Sequence, residues 1–227
     1  MISVIVATYN RPADLCSLLA ALRNQTEPVE VVVADDGTKS PSVQGDRYLW
    51  RKDDGYHKSW MVNQAVRMAS GDVLAFLDDD CLPVFSEWAV NHLKALQDAR
   101  VSRGPFGLCR KVNGRNEWLN SMTFGTRGAY WSCINTVMSR DVWNQVGGYD
   151  ERFDGAYGFE DIDFGLTIQK LGLSVAESSR RTMVEHSGEP YCIRDGQIDE
   201  SISARNKELL EEKWGSDVLD LMERSGR

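Results

Sequence analysis

The apolar positions of this chain fall into two alternating patterns over the first hundred residues. Three short runs are nearly continuous in apolar side chains, many of them β-branched: residues 2–7, 29–34 and 72–77. This is the pattern of strands that are buried on both faces of a sheet. Apolar residues recur at helical spacing from Leu15 to Leu22, over residues 57–69 and at about 85–97, which predicts three helices. A weaker run at 47–50 predicts a short further strand.

This alternation of strands and helices predicts an α/β fold with a parallel, doubly wound sheet. Ligands bind to such sheets outside the carboxyl ends of the strands. Polar clusters follow three of the predicted strands: Thr8 to Arg11, Asp35 with Asp36, and Asp78 to Asp80. We therefore expect a ligand site along this edge of the sheet.

The second half of the chain is less regular. Residues 103–138 are rich in Gly, Trp, Tyr and Asn, which indicates short strands and loops. The pattern beyond them predicts a turn at 147–149, a helix over 159–171, a strand over 181–186 and an amphipathic closing helix over 199–213. No internal repeat or linker is visible, so we expect one domain over residues 1–227.

Composition and charge narrow the class of protein. The 227 residues include 34 acidic and 26 basic side chains, a formal net charge of −8, which argues against a surface that holds nucleic acid by phosphate neutralisation. The five cysteines are widely spaced without a CxxC pair, which excludes a disulfide framework joining all of them and indicates reduced thiols. No run approaches the roughly 18 apolar residues of a membrane span, and the first strand begins at Ile2. We therefore expect a cytoplasmic protein.

Three adjacent carboxylates follow the third buried run. Asp78, Asp79 and Asp80 repel one another, and such a cluster is tolerated where water or a cation screens it. Because alternate side chains of an extended segment point the same way, Asp78 and Asp80 can share one divalent ion, with phosphate oxygens completing its shell. A solvated acidic turn is the alternative, but the buried strand before the cluster and Asp35 at the same edge favour metal and phosphate binding.

Other positions carry weaker signals. Asp35 can accept hydrogen bonds from a ribose or a base, although Asp-Gly also favours a plain turn. Glu160 and Asp161 begin a predicted helix. Acidic residues there are expected from the helix dipole, but neighbouring carboxylates also raise one another's pKa, which suits a general base. Lys58 could contact a phosphate or a hydroxyl, and His186 could be a structural residue or a ligand.

Several familiar catalytic motifs are missing from the sequence. It lacks GxxxxGK[ST], a GxGxxG after the first strand, HExxH and GxSxG. These absences exclude P-loop kinases, dehydrogenases, zinc proteases and serine hydrolases that carry the usual signatures.

The motifs that are present resemble those of family-two glycosyltransferases with the GT-A fold. Five stretches carry the resemblance: residues 2–11, 31–38 and 76–80 in the first half, and 147–153 and 158–164 in the second. The first three are similar to the nucleotide-binding half of that family. The last two are similar to the acceptor half of its chondroitin-polymerase-like and galactosyltransferase-like members. The resemblance implies a mostly parallel sheet with a smaller acceptor-binding lobe, in which about residues 1–100 bind the nucleotide sugar and about 101–227 bind the acceptor.

The resemblance also implies an activity and residue roles. It implies a metal-dependent, inverting transfer of a sugar from a nucleotide sugar, expected to be UDP-linked, to an acceptor hydroxyl, with Mn²⁺ or Mg²⁺ as cofactor. Asp161 would be the general base, with Glu160 beside the acceptor hydroxyls. The implied donor-binding residues are Thr8, Arg11, Asp35, Lys58, Asn63, Asp78 and Asp79. The implied metal ligands are Asp78, Asp80 and His186. Because the middle residue of the acidic cluster is also an aspartate, which two of its carboxylates contact the metal stays open.

The acceptor stays open as well. A glycan is favoured, whereas a lipid-linked sugar, a protein side chain or a hydroxylated nucleobase would each need a surface formed by residues 103–135. Tyr130 and Trp131 could provide an apolar platform there. A local basic cluster keeps nucleic acid among the possible partners: Arg100, Arg103, Arg110, Lys111 and Arg115.

An inactive nucleotide- or metal-binding domain and a nucleotidyltransferase are the alternative functions. Because the sequence ends soon after Trp214, we expect one sugar to be added per encounter.

Overall fold

The computed structural model describes residues 1–39, 45–112, 115–122, 134–186, 193–194, 197–198 and 200–218. In these ranges the α-helices are α1 (Pro12–Arg23), α2 (Lys58–Met68), α3 (Trp88–Ala95), α4 (Arg140–Val146), α5 (Glu160–Lys170) and α6 (Ala204–Trp214). The strands are β1 (Ile2–Thr8), β2 (Val29–Asp35), β3 (Arg47–Trp50), β4 (Val73–Asp78), β5 (Cys81–Pro83), β6 (Val101–Arg103), β7 (Phe106–Val112), β8 (Arg115–Met122), β9 (Thr136–Ser139), β10 (Val175–Glu177), β11 (Val184–His186), β12 (Ile193–Arg194) and β13 (Gln197–Ile198). Short 3₁₀ turns lie at Glu151–Phe153, Arg180–Thr182 and Glu200–Ile202.

Seven strands form the central sheet, in the order β10-β6-β9-β4-β1-β2-β3. Strand β9 is antiparallel to β4 and β6, and the other pairings in this sheet are parallel. A smaller sheet has the order β5-β11-β7-β8, and β12 pairs with β13. The predicted α/β class with a mostly parallel sheet is therefore confirmed. The division into a donor half and an acceptor half near residue 100 stays a prediction.

Apolar side chains cover the central sheet on both faces, as the continuous apolar runs predicted. Ile5 of β1 belongs to one cluster with Met61 and Val62 of α2, whereas Val4 of the same strand belongs to the opposite cluster with Leu18 of α1. All of these side chains are at most 3% exposed. Burying each one contributes about 1.5–3 kcal/mol, so helices on both faces stabilise the sheet.

Three elements have different bounds from those that the sequence predicted. Helix α3 is shorter at both ends than the helix expected at about 85–97; before its start, the Ser86 carbonyl accepts a hydrogen bond from the Thr26 N–H. The strand expected over 181–186 is wrong in its first half, where a 3₁₀ turn capped by the Ser179 hydroxyl precedes the short β11. Helix α6 begins later than the helix expected over 199–213, because another 3₁₀ turn comes before it.

The carboxyl ends of the central strands lie together at one edge of the sheet. Thr8, Asp35 and Asp78 are the last residues of β1, β2 and β4. The register pairs Thr8 with Asp35, and Ala7 with Asp78. The polar clusters that follow these strands therefore meet at a common edge, as the topology rule predicted.

Candidate active site

A cavity of about 310 Å³ opens at this edge of the central sheet. Its volume lies within the range of small-molecule sites, about 300–1,000 Å³. The predicted site residues that line it are Thr8, Arg11, Lys58, Asp78, Asp79, Asp80 and His186. The fold thus brings together predicted residues from both halves of the chain.

The three carboxylates after β4 have different surroundings. The Asp79 side chain is buried, and its Oδ2 accepts a hydrogen bond of 2.6 Å from the Thr8 hydroxyl. Burial raises the pKa of Asp79 to about 7; the Thr8 hydrogen bond opposes this shift, and the two adjacent carboxylates add to it. Asp80 forms an ion pair with Arg11. Asp78 is the member of the cluster that is not buried. Asp79 therefore joins the ends of β1 and β4, while Asp78 faces the cavity more openly.

Asp80 and His186 bring a carboxylate and an imidazole to the same point. The Oδ1 of Asp80 lies 3.6 Å from the Nε2 of His186. With the Cys81 thiol they form a group of three donor atoms, all within 4.8 Å of one another. The Nδ1 of His186 is buried and has no hydrogen-bond partner in the described part of the chain. The carboxylate of Asp80 suits Mn²⁺ and the imidazole of His186 adds a nitrogen donor, so these two side chains fit the divalent cation that the sequence implied, whereas the Cys81 thiol does not.

Lys58, the first residue of α2, lies between two acidic groups. Its Nζ lies 3.2 Å from the Oδ1 of Asp78 and 3.6 Å from the Oε1 of Glu160. Burial disfavours the ammonium, but the negative charges of Asp78 and Glu160 outweigh burial and raise the pKa of Lys58 well above its usual value. The charged Lys58 therefore links the acidic strand end to the start of α5.

The two carboxylates at the start of α5 follow a strained stretch of backbone. Gly158 and Phe159 both have left-handed φ angles, 81° and 71°, which a non-glycine residue adopts only at a cost. Glu160 is buried, its Oε2 has no partner among the described residues, and burial raises its pKa. Burial and the neighbouring Glu160 raise the pKa of Asp161 to about 7. A carboxylate with this pKa suits a general base near neutral pH.

Two of the predicted donor-binding residues do not line the cavity. The Oδ1 of Asp35 accepts a hydrogen bond of 2.8 Å from the backbone N–H of Thr38, and its Oδ2 accepts one from the Tyr48 hydroxyl. Asn63 instead joins α2 to Tyr149: its Nδ2 donates to the Tyr149 carbonyl at 2.9 Å, and its Oδ1 accepts from the Tyr149 N–H at 3.0 Å. These contacts engage both side chains, so the geometry gives no support to their predicted contact with the nucleotide.

Sequence reasoning gave no role to several residues in or beside the cavity: Asp36, which it placed only among the polar residues at this edge, and Tyr56, Cys81 and Tyr157. The Oδ2 of Asp36 accepts a hydrogen bond of 2.7 Å from the backbone N–H of His57, next to Lys58. The rings of Tyr56 and Tyr157 meet edge to face, with centroids 5.8 Å apart. The Asp-Asp-Gly turn could have indicated Asp36, but no local signal indicated the tyrosines, which come from different halves of the chain.

Some predictions concern residues that are not described or have a different environment. Tyr130 and Trp131 lie outside the described residues, and so do the side chains of Arg110, Lys111 and Arg115. Arg103 is only 4% exposed, so it does not contribute to a basic surface. No helix within the described ranges is both long and apolar enough to cross a bilayer.

The sheet topology is that of the GT-A class of glycosyltransferases. The fold is similar to the mannosyltransferase PcManGT from Pyrobaculum calidifontis in complex with GDP-Man and Mn²⁺ (TM-score 0.61, 16% identity, 96% of this chain and 64% of that chain). It is also similar to S. aureus TarS 1-349 in complex with UDP-GlcNAc (TM-score 0.58, 17% identity, 83% of this chain and 59% of that chain). The profile of glycosyl transferase family 2 matches residues 3–141, more than half of the chain, and the chain belongs to that family.

Curated relatives agree with this family assignment. The chain is 26% identical to validoxylamine A glucosyltransferase from Streptomyces hygroscopicus subsp. jinggangensis, over 82% of this chain and 55% of that protein. It is 27% identical to chondroitin synthase from Pasteurella multocida, over 75% of this chain and 23% of that protein. The chain thus spans about half the length of the first relative and about a quarter of the second.

Proposed function

We propose that this chain is a metal-dependent, inverting glycosyltransferase domain that moves a sugar from a nucleotide sugar, expected to be UDP-linked, to an acceptor hydroxyl. One observation carries the proposal. The acidic strand end, His186 and Lys58 line a single cavity, and the Nζ of Lys58 lies 3.6 Å from the Oε1 of Glu160, the residue next to Asp161. This arrangement supplies the two functions that the transfer needs, namely a holder for a diphosphate and a base for the acceptor.

The donor side of the cavity suits a diphosphate with its cation. Asp78, Asp80 and His186 would hold Mn²⁺ or Mg²⁺, and Asp79 orients the strand end through its hydrogen bond to Thr8. The bound cation supplies a Lewis acid that neutralises the negative charge developing on the departing diphosphate. Lys58 places an ammonium beside Asp78, where it can attract a phosphate oxygen.

Asp161 acts as the general base in this proposal. Its carboxylate takes the proton of the acceptor hydroxyl while the acceptor oxygen forms a bond to the anomeric carbon. The bond from that carbon to the phosphate oxygen breaks on the opposite face, so the configuration inverts and the nucleoside diphosphate leaves. Glu160 raises the pKa of Asp161 and thereby adds to its basicity. A positioned base of this kind contributes about 10²–10⁴-fold to the rate.

A glycan is the acceptor that we favour. Relatives carry names that refer to chondroitin, hyaluronan and O-antigen biosynthesis. The edge-to-face pair of Tyr56 and Tyr157 places aromatic surface on the cavity wall, and an aromatic ring can pack against the apolar face of a sugar.

The test of this function begins with a panel of nucleotide sugars. With Mn²⁺ present, we expect at least one UDP-sugar to release UDP and to glycosylate a saccharide acceptor. The Asp161→Asn variant should bind the donor as before but lose transfer by about 10²–10⁴-fold. Asp141→Asn is the matched control, because Asp141 is an exposed acidic residue in the first turn of α4.

Two outcomes would contradict the proposal in different ways. Near-full turnover by Asp161→Asn would overturn the base assignment alone. Nucleotide binding without release from any donor, at any Mn²⁺ concentration, would overturn the enzymatic function and favour a domain that only binds nucleotide or metal.

A further inference from the structure

The Cys81 thiol has no part in the proposed transfer, yet it lies beside the candidate metal ligands. It is 0% exposed and begins β5. In the antiparallel pairing of β5 with β11, Cys81 stands directly opposite His186. Directly opposite residues of an antiparallel pair have their side chains on the same face of the sheet. The fold therefore holds a thiol and an imidazole side by side, next to the carboxylate of Asp80.

Two of the three separations between these donor atoms match those around a four-coordinate metal ion. The Oδ1 of Asp80 lies 3.5 Å from the Sγ of Cys81 and 3.6 Å from the Nε2 of His186. In a tetrahedral site with bonds of about 2.0–2.3 Å, neighbouring ligand atoms lie about 3.3–3.8 Å apart. The third pair of donor atoms, those of Cys81 and His186, lies within 4.8 Å, so a small adjustment of side chains would bring all three ligands to one ion.

This set of donor atoms favours a different cation from the one in the proposed transfer. Mg²⁺ and Mn²⁺ prefer oxygen ligands, whereas a thiolate together with an imidazole selects Zn²⁺ and chemically similar ions. We propose that Asp80, Cys81 and His186 form a mixed sulfur, nitrogen and oxygen site for Zn²⁺. On binding, the S–H bond of Cys81 breaks, the sulfur electron pair forms the bond to zinc, and the proton passes to solvent.

The functional consequence of this site rests on the proposed function, because Asp80 and His186 would serve both cations. Zn²⁺ and Mn²⁺ then exclude each other. Zn²⁺ lies above Mn²⁺ in the usual order of divalent-metal affinities, so it binds more tightly to the same ligands. The Cys81 thiolate increases this difference in affinity, because a thiolate is a ligand that Mn²⁺ does not favour. Zn²⁺ is therefore expected to inhibit Mn²⁺-dependent transfer by displacing the activating ion.

Co²⁺ is the probe that tests the site without any reference to catalysis. The full chain is titrated with Co²⁺ in the absence of nucleotide, under a reductant that contains no thiol. Wild type should show an intense near-ultraviolet charge-transfer band, which is the signature of a cobalt–thiolate bond, and added Zn²⁺ should abolish it. Cys81→Ser and Cys81→Ala should lack the band. Mutating a residue that only supports a metal ligand typically lowers metal affinity by about 10–100-fold. Because Cys81 would bind the ion directly, the Zn²⁺ affinity of both variants should fall by at least that factor.

Cys16→Ser is the matched control, because Cys16 is an exposed free thiol on α1, and this variant should keep the band. Circular dichroism confirms that each variant is folded, and Cys81→Ala avoids placing a buried hydroxyl. Absence of the band in wild type, or its persistence in both Cys81 variants, would overturn the zinc site.

Turnover with Mn²⁺ is measured separately from the metal spectra. A Cys81-dependent band without turnover of any donor would support the zinc site and overturn the proposed function. Turnover without the band would support the proposed function and overturn the zinc site.

Discussion

Asp161 illustrates how a single carboxylate can serve chemistry at the expense of stability. Burial and Glu160 raise its pKa from 3.8 to about 7 in the folded protein. The folded state therefore binds this proton more tightly than the unfolded state does. The free energy of unfolding consequently falls as pH rises through the window between about 4 and about 7, because the folded state then holds a charged Asp161 carboxylate that is buried beside Glu160.

We predict that Asp161→Asn is more stable than wild type above neutral pH. The amide stays neutral, and each pKa unit corresponds to about 1.4 kcal/mol; partial exposure and coupling to Glu160 reduce the expected gain to about 1–2 kcal/mol. Urea unfolding of both proteins at about pH 4 and about pH 8 measures the difference, which should nearly vanish at the acid end. Parallel pH profiles for the two proteins would contradict the assigned pKa.

Single residues were predictable where they directly follow a recognisable strand. Asp78 and Asp80 come after a continuous apolar run, so the topology rule alone placed them at the ligand edge. The position of Cys81 opposite His186 depends instead on the pairing of two short strands that are far apart in sequence. Lys58 was expected near a phosphate, but its contact with the start of α5 depends on tertiary packing that no local pattern encodes.

Helix α6 supports the loop that leads into α5. Asn206 is fully buried, and its Nδ2 lies within 3.0 Å of three loop carbonyls, those of Phe153, Ala156 and Gly158. Arg205 donates to the carbonyl of Asp154 in the same loop at 2.8 Å. The carboxylate of Asp154 in turn accepts two backbone N–H groups in the first turn of α2, next to Lys58. Helix α6 therefore supports the start of α5, which bears Glu160, and the start of α2, which bears Lys58.

We predict that Asn206→Leu lowers the rate of transfer more than the affinity for donor. The substitution keeps a similar volume but leaves loop carbonyls without their donor, which costs about 1–3 kcal/mol of stability. The start of α5 then loses the support of Asn206, whereas β1 and β4, which carry proposed donor-binding residues, are untouched, and Arg205 still contacts Asp154 beside the first turn of α2. Steady-state kinetics at a temperature where the variant is folded should show a fall in kcat with little change in the donor KM. Lys207→Ala, an exposed neighbour on α6, is the control, and an unchanged kcat in Asn206→Leu would contradict the positioning role.

Elements were predictable in proportion to their length. The runs that became β1, β2 and β4 have six or seven residues and are buried on both faces, so their apolar pattern was unmistakable. Strands β5, β6 and β11 have three residues each, too few to show any periodicity. The bounds of α3 and α6 differed at features that apolar spacing does not show: a hydrogen bond from Thr26 to the Ser86 carbonyl before α3, and a 3₁₀ turn directly before α6.

The whole molecule concentrates negative charge at one cavity. The chain has a formal net charge of −8, and several carboxylates face one another across the site. A bound cation and its diphosphate add contacts that the unfolded chain cannot make, so they should stabilise the fold.

We predict that Mn²⁺ together with UDP raises the melting temperature more than either does alone. At about 100 times the dissociation constant, a ligand that binds only the folded state contributes about 2.7 kcal/mol. Asp80→Asn should remove the part of the melting-temperature shift that depends on Mn²⁺. Asp98→Asn, at an exposed position after α3, should keep that part of the shift. Differential scanning fluorimetry measures both, and an equal metal-dependent shift in Asp80→Asn would contradict the role of this carboxylate.

The class of the molecule was predictable from its sequence, but its substrates were not. The order of strands and helices along the chain predicted the doubly wound sheet, and the resemblance of its motifs to family-two glycosyltransferases implied the GT-A fold. The smaller sheet joins β5, β7, β8 and β11 from distant parts of the sequence, so its existence could not be read from local pattern. The acceptor was expected to depend on a surface formed by residues 103–135, and the apolar periodicity of a sequence does not determine the shape of such a surface.

The two edges of the central sheet also have a consequence for how this domain behaves beside other proteins. Edge strand β10 has three residues and edge strand β3 has four, and charged residues lie on both. Long, flat, apolar edges recruit strands from other chains, whereas short charged ones do not. The central sheet, as the described residues form it, should therefore not pair with strands of other copies in concentrated preparations, and flanking modules of a longer polypeptide could be fused to the domain without their strands extending this sheet.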